Sequence, residues 1–204
     1  MSEVTTFVNP LKTGPTVLVA ALGEAEGARG AAAALACAGA DLDLATLFVD
    51  VGGRAPRPAL LASAAARESE GRLAGHLADA KVAARGQVCH LAVPPDAEGL
   101  VSAGAAIAVA REAATVVHVP PRLLQEALES GLRPSGVLLR VDLAEDRPLL
   151  ALVARDLLGR GLAFAVLKRR LSWVAERRAL FGTLPSGSQG ALPPRLLRRL
   201  GISS

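Results

Sequence analysis

The sequence predicts an α/β fold, a doubly wound and mainly parallel sheet with helices on both faces, on three observations. Six apolar runs of strand length recur along the chain: Thr16 to Leu22, Ala45 to Val51, Gln87 to Val93, Thr115 to Val119, Gly136 to Val141 and Leu162 to Leu167. Most lack the apolar/polar alternation of a half-exposed strand, which implies burial on both faces, as in a parallel sheet covered by helices. Segments long enough for crossover helices separate them.

The first run enters a glycine-containing turn and then Gly30 to Ala40, whose alanines would let a helix lie close to the sheet. The second run ends in Asp50-Val-Gly-Gly53 and leads to Pro58 to Leu77, where Pro58 suits a helix's first turn because its missing N–H costs nothing there. The third run precedes a helix over Glu98 to Ala113, and the fourth a shorter one over Arg122 to Ser130. After the fifth, Asp146 suits an N-cap ahead of Pro148, and Gly159 or Gly161 suits the closing turn. No internal repeat is visible.

A length of 204 residues can bury about 70% of the surface its unfolded chain exposes, so core size does not limit stability. Hydrophobic residues make up 51%, but no window approaches the roughly 20 uninterrupted apolar residues of a membrane span. Residues Met1 to Lys12 lack a basic stretch followed by an apolar run, so a cytoplasmic protein is expected. Cys37 and Cys89 lie in apolar segments and read as small hydrophobes, which argues against a disulfide framework or a structural zinc site. His76, His90 and His118 are scattered without metal-ligand spacing and read as structural, so no metal or other cofactor is expected. Ser63 and Ser172 lack a nucleophile elbow, and with aromatics at 2% and no tyrosine a base-stacking reader of single strands is disfavoured.

Charge is unevenly placed. Residues 155 to 204 hold ten basic side chains against Asp156 and Glu176, a local +8, so within a total of +4 the first 154 residues stand at −4. Such polarity suits a contact with an acidic protein, an anionic membrane face or nucleic acid; a solvated basic face is the alternative. Residues 186 to 192 read as a flexible linker after a domain spanning 1 to 185. Residues 193 to 204 then form a short basic amphipathic segment. Leu196, Leu197 and Leu200 lie on one side and Arg195, Arg198 and Arg199 mostly on the other, as in a docking helix for a partner. On that reading, deleting 186 to 204 leaves the domain folded; on the other, the segment folds back on its own domain.

Read in order, Thr16-Val-Leu-Val-Ala-Ala-Leu22 followed by Gly23-Glu-Ala-Glu-Gly27-Ala-Arg29-Gly30, the aspartate-ended strand at Asp50, and Val88-Cys-His-Leu-Ala-Val-Pro-Pro95 resemble the ParA/MinD family of deviant P-loop ATPases, which includes TadZ/CpaE-like proteins of pilus assembly. The resemblance covers about residues 14 to 185 as a pattern of strands, and no single motif is intact. It implies a P-loop NTPase-like fold, with Gly23, Gly27, Arg29 and Gly30 at the phosphate-loop positions and Asp50 near the switch region or ligand edge. Asp50 reads equally well as the cap of the following turn.

The departures matter as much. A working loop needs a lysine for the β- and γ-phosphates and Ser or Thr for Mg²⁺, but Arg29 is the only nearby cation and Gly30 or Ala31 stands at the hydroxyl position. Glu24 and Glu26 would repel a polyphosphate, and a plain strand-to-helix turn is the simpler reading of this stretch. Ala92 stands where the family carries the aspartate that orients Mg²⁺ or water, Arg140 where it carries an adenine-contacting asparagine, and Lys168 where a proline is usual. The resemblance therefore implies a pseudo-ATPase without a cofactor, a protein-binding scaffold or localisation factor in a bacterial assembly, with a homodimer as one expected state. Two alternatives stand beside it: a nucleotide-binding switch in which Arg29 replaces the lysine, and a DNA- or membrane-surface-associated partitioning factor using the basic carboxyl-terminal third.

Overall fold

The first strand, β1 (Thr16–Ala21), is buried along its whole length, which a segment of β-branched and small apolar residues achieves only with a layer packed on each face. It lies inside a six-stranded sheet of order β3-β2-β4-β1-β5-β6 with every neighbouring pair parallel. The computed structural model describes residues 14–23, 27–53, 86–141, 147–167, 195, 198 and 200–202. The other strands are β2 (Thr46–Val51), β3 (Val88–Val93), β4 (Ala114–Val119), β5 (Gly136–Arg140) and β6 (Ala163–Leu167), so all six predicted runs are strands of one sheet.

Helices cover both faces. On one side α1 (Ala28–Asp41) packs Ala31, Ala32, Leu35 and Ala36 against Val17, Val19, Phe48 and Val116. The alanines permit a close approach, and at Gly39 there is no room at all: a Cβ there would lie 2.8 Å from Thr46 Oγ1. On the other side α2 (Ala97–Val109), α3 (Leu124–Glu129) and α4 (Arg147–Gly159) pack Leu100, Ala103, Leu124 and Leu157 over Leu18, Leu47, Leu91 and Leu139. This is a doubly wound α/β layer. Because side chains alternate along a strand, odd-numbered β1 residues face α1 and even-numbered ones the opposite layer.

Element ends follow local chemistry. Asp96 caps α2 by accepting the Gly99 N–H at 3.0 Å. α2 ends at Val109 rather than at the expected Ala113, because Ala110 and the turn behind it deliver the chain to β4. A short 3₁₀ turn, Pro121–Leu123, precedes α3, whose expected start at Arg122 therefore moves to Leu124. The closure of α4 falls to Gly161, at φ 69°: its N–H bonds Leu158 O and the Leu162 N–H bonds Leu157 O, a Schellman ending that favours glycine. The predicted helix over Pro58 to Leu77 and the 186 to 192 linker lie outside the described residues.

The carboxyl terminus returns to the sheet. Leu200 and Ile202 are each 1% exposed and belong to the α1-side core with Leu138 and Ala165. A Cβ on Gly136 would lie 3.3 Å from Leu200 Cδ2, so a larger residue at the start of β5 would push this leucine by a few tenths of an ångström. Among the described residues, no helix is long and apolar enough to cross a membrane.

Candidate functional site

Four side chains from four elements converge at the carboxyl end of β2, beneath the first turn of α1. Asp50 is fully buried. Parallel pairing sets it beside β4 on one side, in register with His118, and beside β3 on the other, in register with Ala92. His118 Nδ1 donates to Asp50 Oδ1 at 2.8 Å, while Arg29 Nε, descending from α1, donates to Oδ2. His90 Nε2 lies 3.6 Å from the same oxygen, outside hydrogen-bond range, and has no hydrogen-bond partner. Its ring stacks on Phe48, the residue in register with it on β2, with centroids 4.7 Å apart and planes 14° from parallel.

The backbone beyond Asp50 is shaped around the carboxylate. Gly52 takes φ 81° and passes between Pro95 and Pro120, and Gly53 lies directly on Asp50: a Cβ at 53 would stand 1.9 Å from Oδ2. The Gly52-Gly53 pair is thus required by a left-handed turn at the first residue and by the carboxylate itself at the second.

Burial alone would push the Asp50 carboxyl up, since desolvation disfavours the charged form. The hydrogen bond from His118, the neighbouring His90 and the charge of Arg29 reverse this and hold it well below the usual carboxylate range. Asp50 is therefore an anion at neutral pH, compensated from within the chain. Chemically the cluster is an internal ion network that ties the first turn of α1 to β2 and β4. Among the described residues no group of three His, Cys, Asp or Glu side chains could hold a metal ion.

The residues singled out from the sequence separate into three places. Gly23 is exposed in the turn after β1 (φ 58°), Gly27 is the N-cap of α1 in the left-handed region (φ 87°), and Arg29 and Gly30 occupy the helix's first turn. Glu24 and Glu26 lie outside the described residues. Asp50 is brought to Arg29 as part of one cluster, its buried carboxylate facing Arg29, His118 and His90. Ala92 is half-buried on β3 opposite Asp50, and Asp96 is occupied as a helix cap. At the carboxyl end, Arg195 and Arg198 are exposed, the side chains of Leu196, Leu197 and Arg199 lie outside the described residues, and Leu200 is buried against the chain's own β5, with its apolar surface already covered.

Sequence reasoning treated His90 and His118 as unrelated structural residues. They are both partners of Asp50, and the missing information was strand order: β3 and β4 flank β2, which puts residues separated by 40 and 68 positions from Asp50 next to it. The available signal was that each histidine sits inside a predicted buried strand, where an ionisable side chain needs a partner. Compared with known proteins, the chain matches no family model, no curated protein and no solved structure.

Proposed function

We propose that the chain is a catalytically inactive ParA/MinD-like protein that works by binding other proteins, as a scaffold or localisation factor in a bacterial assembly. The observation that carries this reading is the ion pair between Arg29 and Asp50. Arg29 is the only cation at the phosphate-loop positions, and it is spent on a buried carboxylate. Asp50, the best-matched acid of the strand edge, has both oxygens engaged by the chain's own side chains. A triphosphate would have to break that network to recruit Arg29, leaving Asp50 buried with one of its charge-assisted partners removed. Ala92 offers no second anchor for a metal on the neighbouring strand.

Apolar surface supports protein binding. Leu149 is 40% exposed and Leu152 67% exposed beside a hollow of about 340 Å³ between α3 and α4, next to the end of β1. Exposed leucines grouped around a hollow suit another protein's side chains better than a phosphate.

The deciding measurement is the melting temperature of the purified chain with and without ATP and Mg²⁺, paired with an ATPase assay. The expected outcome is no nucleotide-dependent shift and no hydrolysis above background. A shift of several degrees requiring both ATP and Mg²⁺ would replace this reading with the nucleotide-dependent switch. Binding to duplex DNA or anionic vesicles that falls steeply with added salt would replace it with the partitioning factor, because phosphate contacts release counterions and an apolar interface does not.

A further inference from the structure

On the other flank of the α1 side of the sheet, β5 ends in a second buried charge with a different fate. Arg140 is 3% exposed. The register Val19↔Leu138 and Ala21↔Arg140, with Val19 and Leu138 both in the α1-side core, puts Arg140 on the α1 side at the carboxyl edge of the sheet. This is the edge at which parallel α/β sheets bind ligands. Its Nη1 donates to the carbonyl oxygens of Val141 and Leu167, bridging the ends of β5 and β6. Its Nε is enclosed and has no hydrogen-bond partner.

No carboxylate among the described residues pairs with this guanidinium. Two carbonyl dipoles do not replace the hydration of a full cation, and a buried N–H without an acceptor adds its own penalty. A structural brace between two strands needs no charge and no idle Nε. What the arrangement lacks among the described residues is one negative acceptor, and the guanidinium is the side chain best shaped to hold a carboxylate or phosphate oxygen pair.

We propose that Arg140 is the receptor of an oxyanion site at the β5–β6 end of the sheet, taking a phosphate or carboxylate group as countercharge and as acceptor for Nε. The site is separate from the Asp50 network and does not depend on how the phosphate-loop positions are read.

The test uses the full chain. Inorganic phosphate, and separately acetate, is titrated calorimetrically and by melting temperature at fixed ionic strength against chloride, for the wild type and for Arg140→Met. Methionine keeps most of the buried stem and removes the charge and Nε. The wild type is expected to show one saturable site and a rise of about 3 °C at an anion concentration roughly tenfold above Kd, with the rise absent in Arg140→Met. A response to phosphate alone identifies the ligand group as phosphate, a response to acetate alone identifies it as carboxylate, and a response to both shows that the site reads the oxyanion pair the two share. Should Arg140→Met not fold, the wild-type calorimetry decides alone. The proposal is overturned by the absence of a saturable heat in the wild type, or by equal rises in both proteins, which is the general effect of phosphate exclusion from protein surfaces. It is also overturned if Asp142→Asn unfolds the chain while anions bind nowhere, because the countercharge is then the chain's own.

Discussion

On the β2–β4 flank of the α1 side, Asp50 is buried with Arg29, His118 and His90 gathered around it. On the β5 flank, Arg140 is buried with two carbonyl oxygens and an idle Nε. Both charges lie near the carboxyl ends of strands in the same sheet, and both are out of water. The difference is that the anion recruits partners from three other elements, whereas the cation, among the described residues, is met only by backbone. The first arrangement locks α1 to the sheet, and the second leaves an electrostatic demand. The covering layer differs in the same way: α1 lies over β1, β2 and β4, while Leu200 and Ile202 join the core around Leu138 and Ala165.

The largest effect expected from breaking this contrast is at Asp50. Asp50→Ala removes the buried carboxylate around which Arg29 and two histidines are gathered and should cost about 3 kcal/mol or more, read as a shifted midpoint in urea unfolding. Arg140→Met, the matching change on the other flank, should be close to neutral in chloride, since exchanging an unpaired buried charge for an apolar side chain removes a penalty. If the two variants lose equal stability, the flanks do not differ in the way described. Next, Leu200→Ala should cost about 2 to 3 kcal/mol, the lower end for a fully buried leucine, and removal of residues 195 to 204 should lower the melting temperature. That outcome differs from the linker-and-docking expectation, under which the domain would not notice the loss. Gly53→Ala should cost about 2 kcal/mol, because a methyl group 1.9 Å from Asp50 Oδ2 forces the turn or the carboxylate to move. The smallest effect is at Leu152→Ser, 67% exposed, which should stay within about 0.5 kcal/mol.

A pH series sharpens the same comparison. The folded-state pKa of Asp50 is depressed, so its stabilisation is present in full above the unfolded carboxyl value of about 4 and is lost as pH falls below that. The difference in stability between the wild type and Asp50→Asn should therefore be constant from pH 7 to about pH 5 and shrink toward pH 3. A difference that grows on acidification would mean that the carboxyl is held neutral in the folded protein.

Strands were legible because burial on both faces leaves an unbroken apolar run, and the six runs bounded by Gly, Pro and charged residues carried that mark. Helix ends were less legible. Gly161 rather than Gly159 closes α4, and nothing local distinguishes the two until the chain's φ angle is known. Half of the Asp50 site was legible: the aspartate at a strand end and an arginine at the phosphate-loop position opening the preceding helix were both singled out. The histidines were not, since their relation to Asp50 depends on pairing between distant segments. The buried Arg140 was noticed only as a departure from a family pattern.

Composition, periodicity and punctuation in the sequence by themselves determined an α/β chain, its six strands, its alanine-lined first helix and its uneven charge, because each of these is a local property of neighbouring residues. Tertiary structure alone decided that β3 and β4 flank β2, that Arg29 is paired with Asp50, that Arg140 has no countercharge among the described residues, and that Leu200 turns inward. Parallel strands are joined by crossovers and not by tight turns, so nothing in a single segment records its neighbour; the order is set by which helices can cover which faces, and the partners of every buried charge follow from that order.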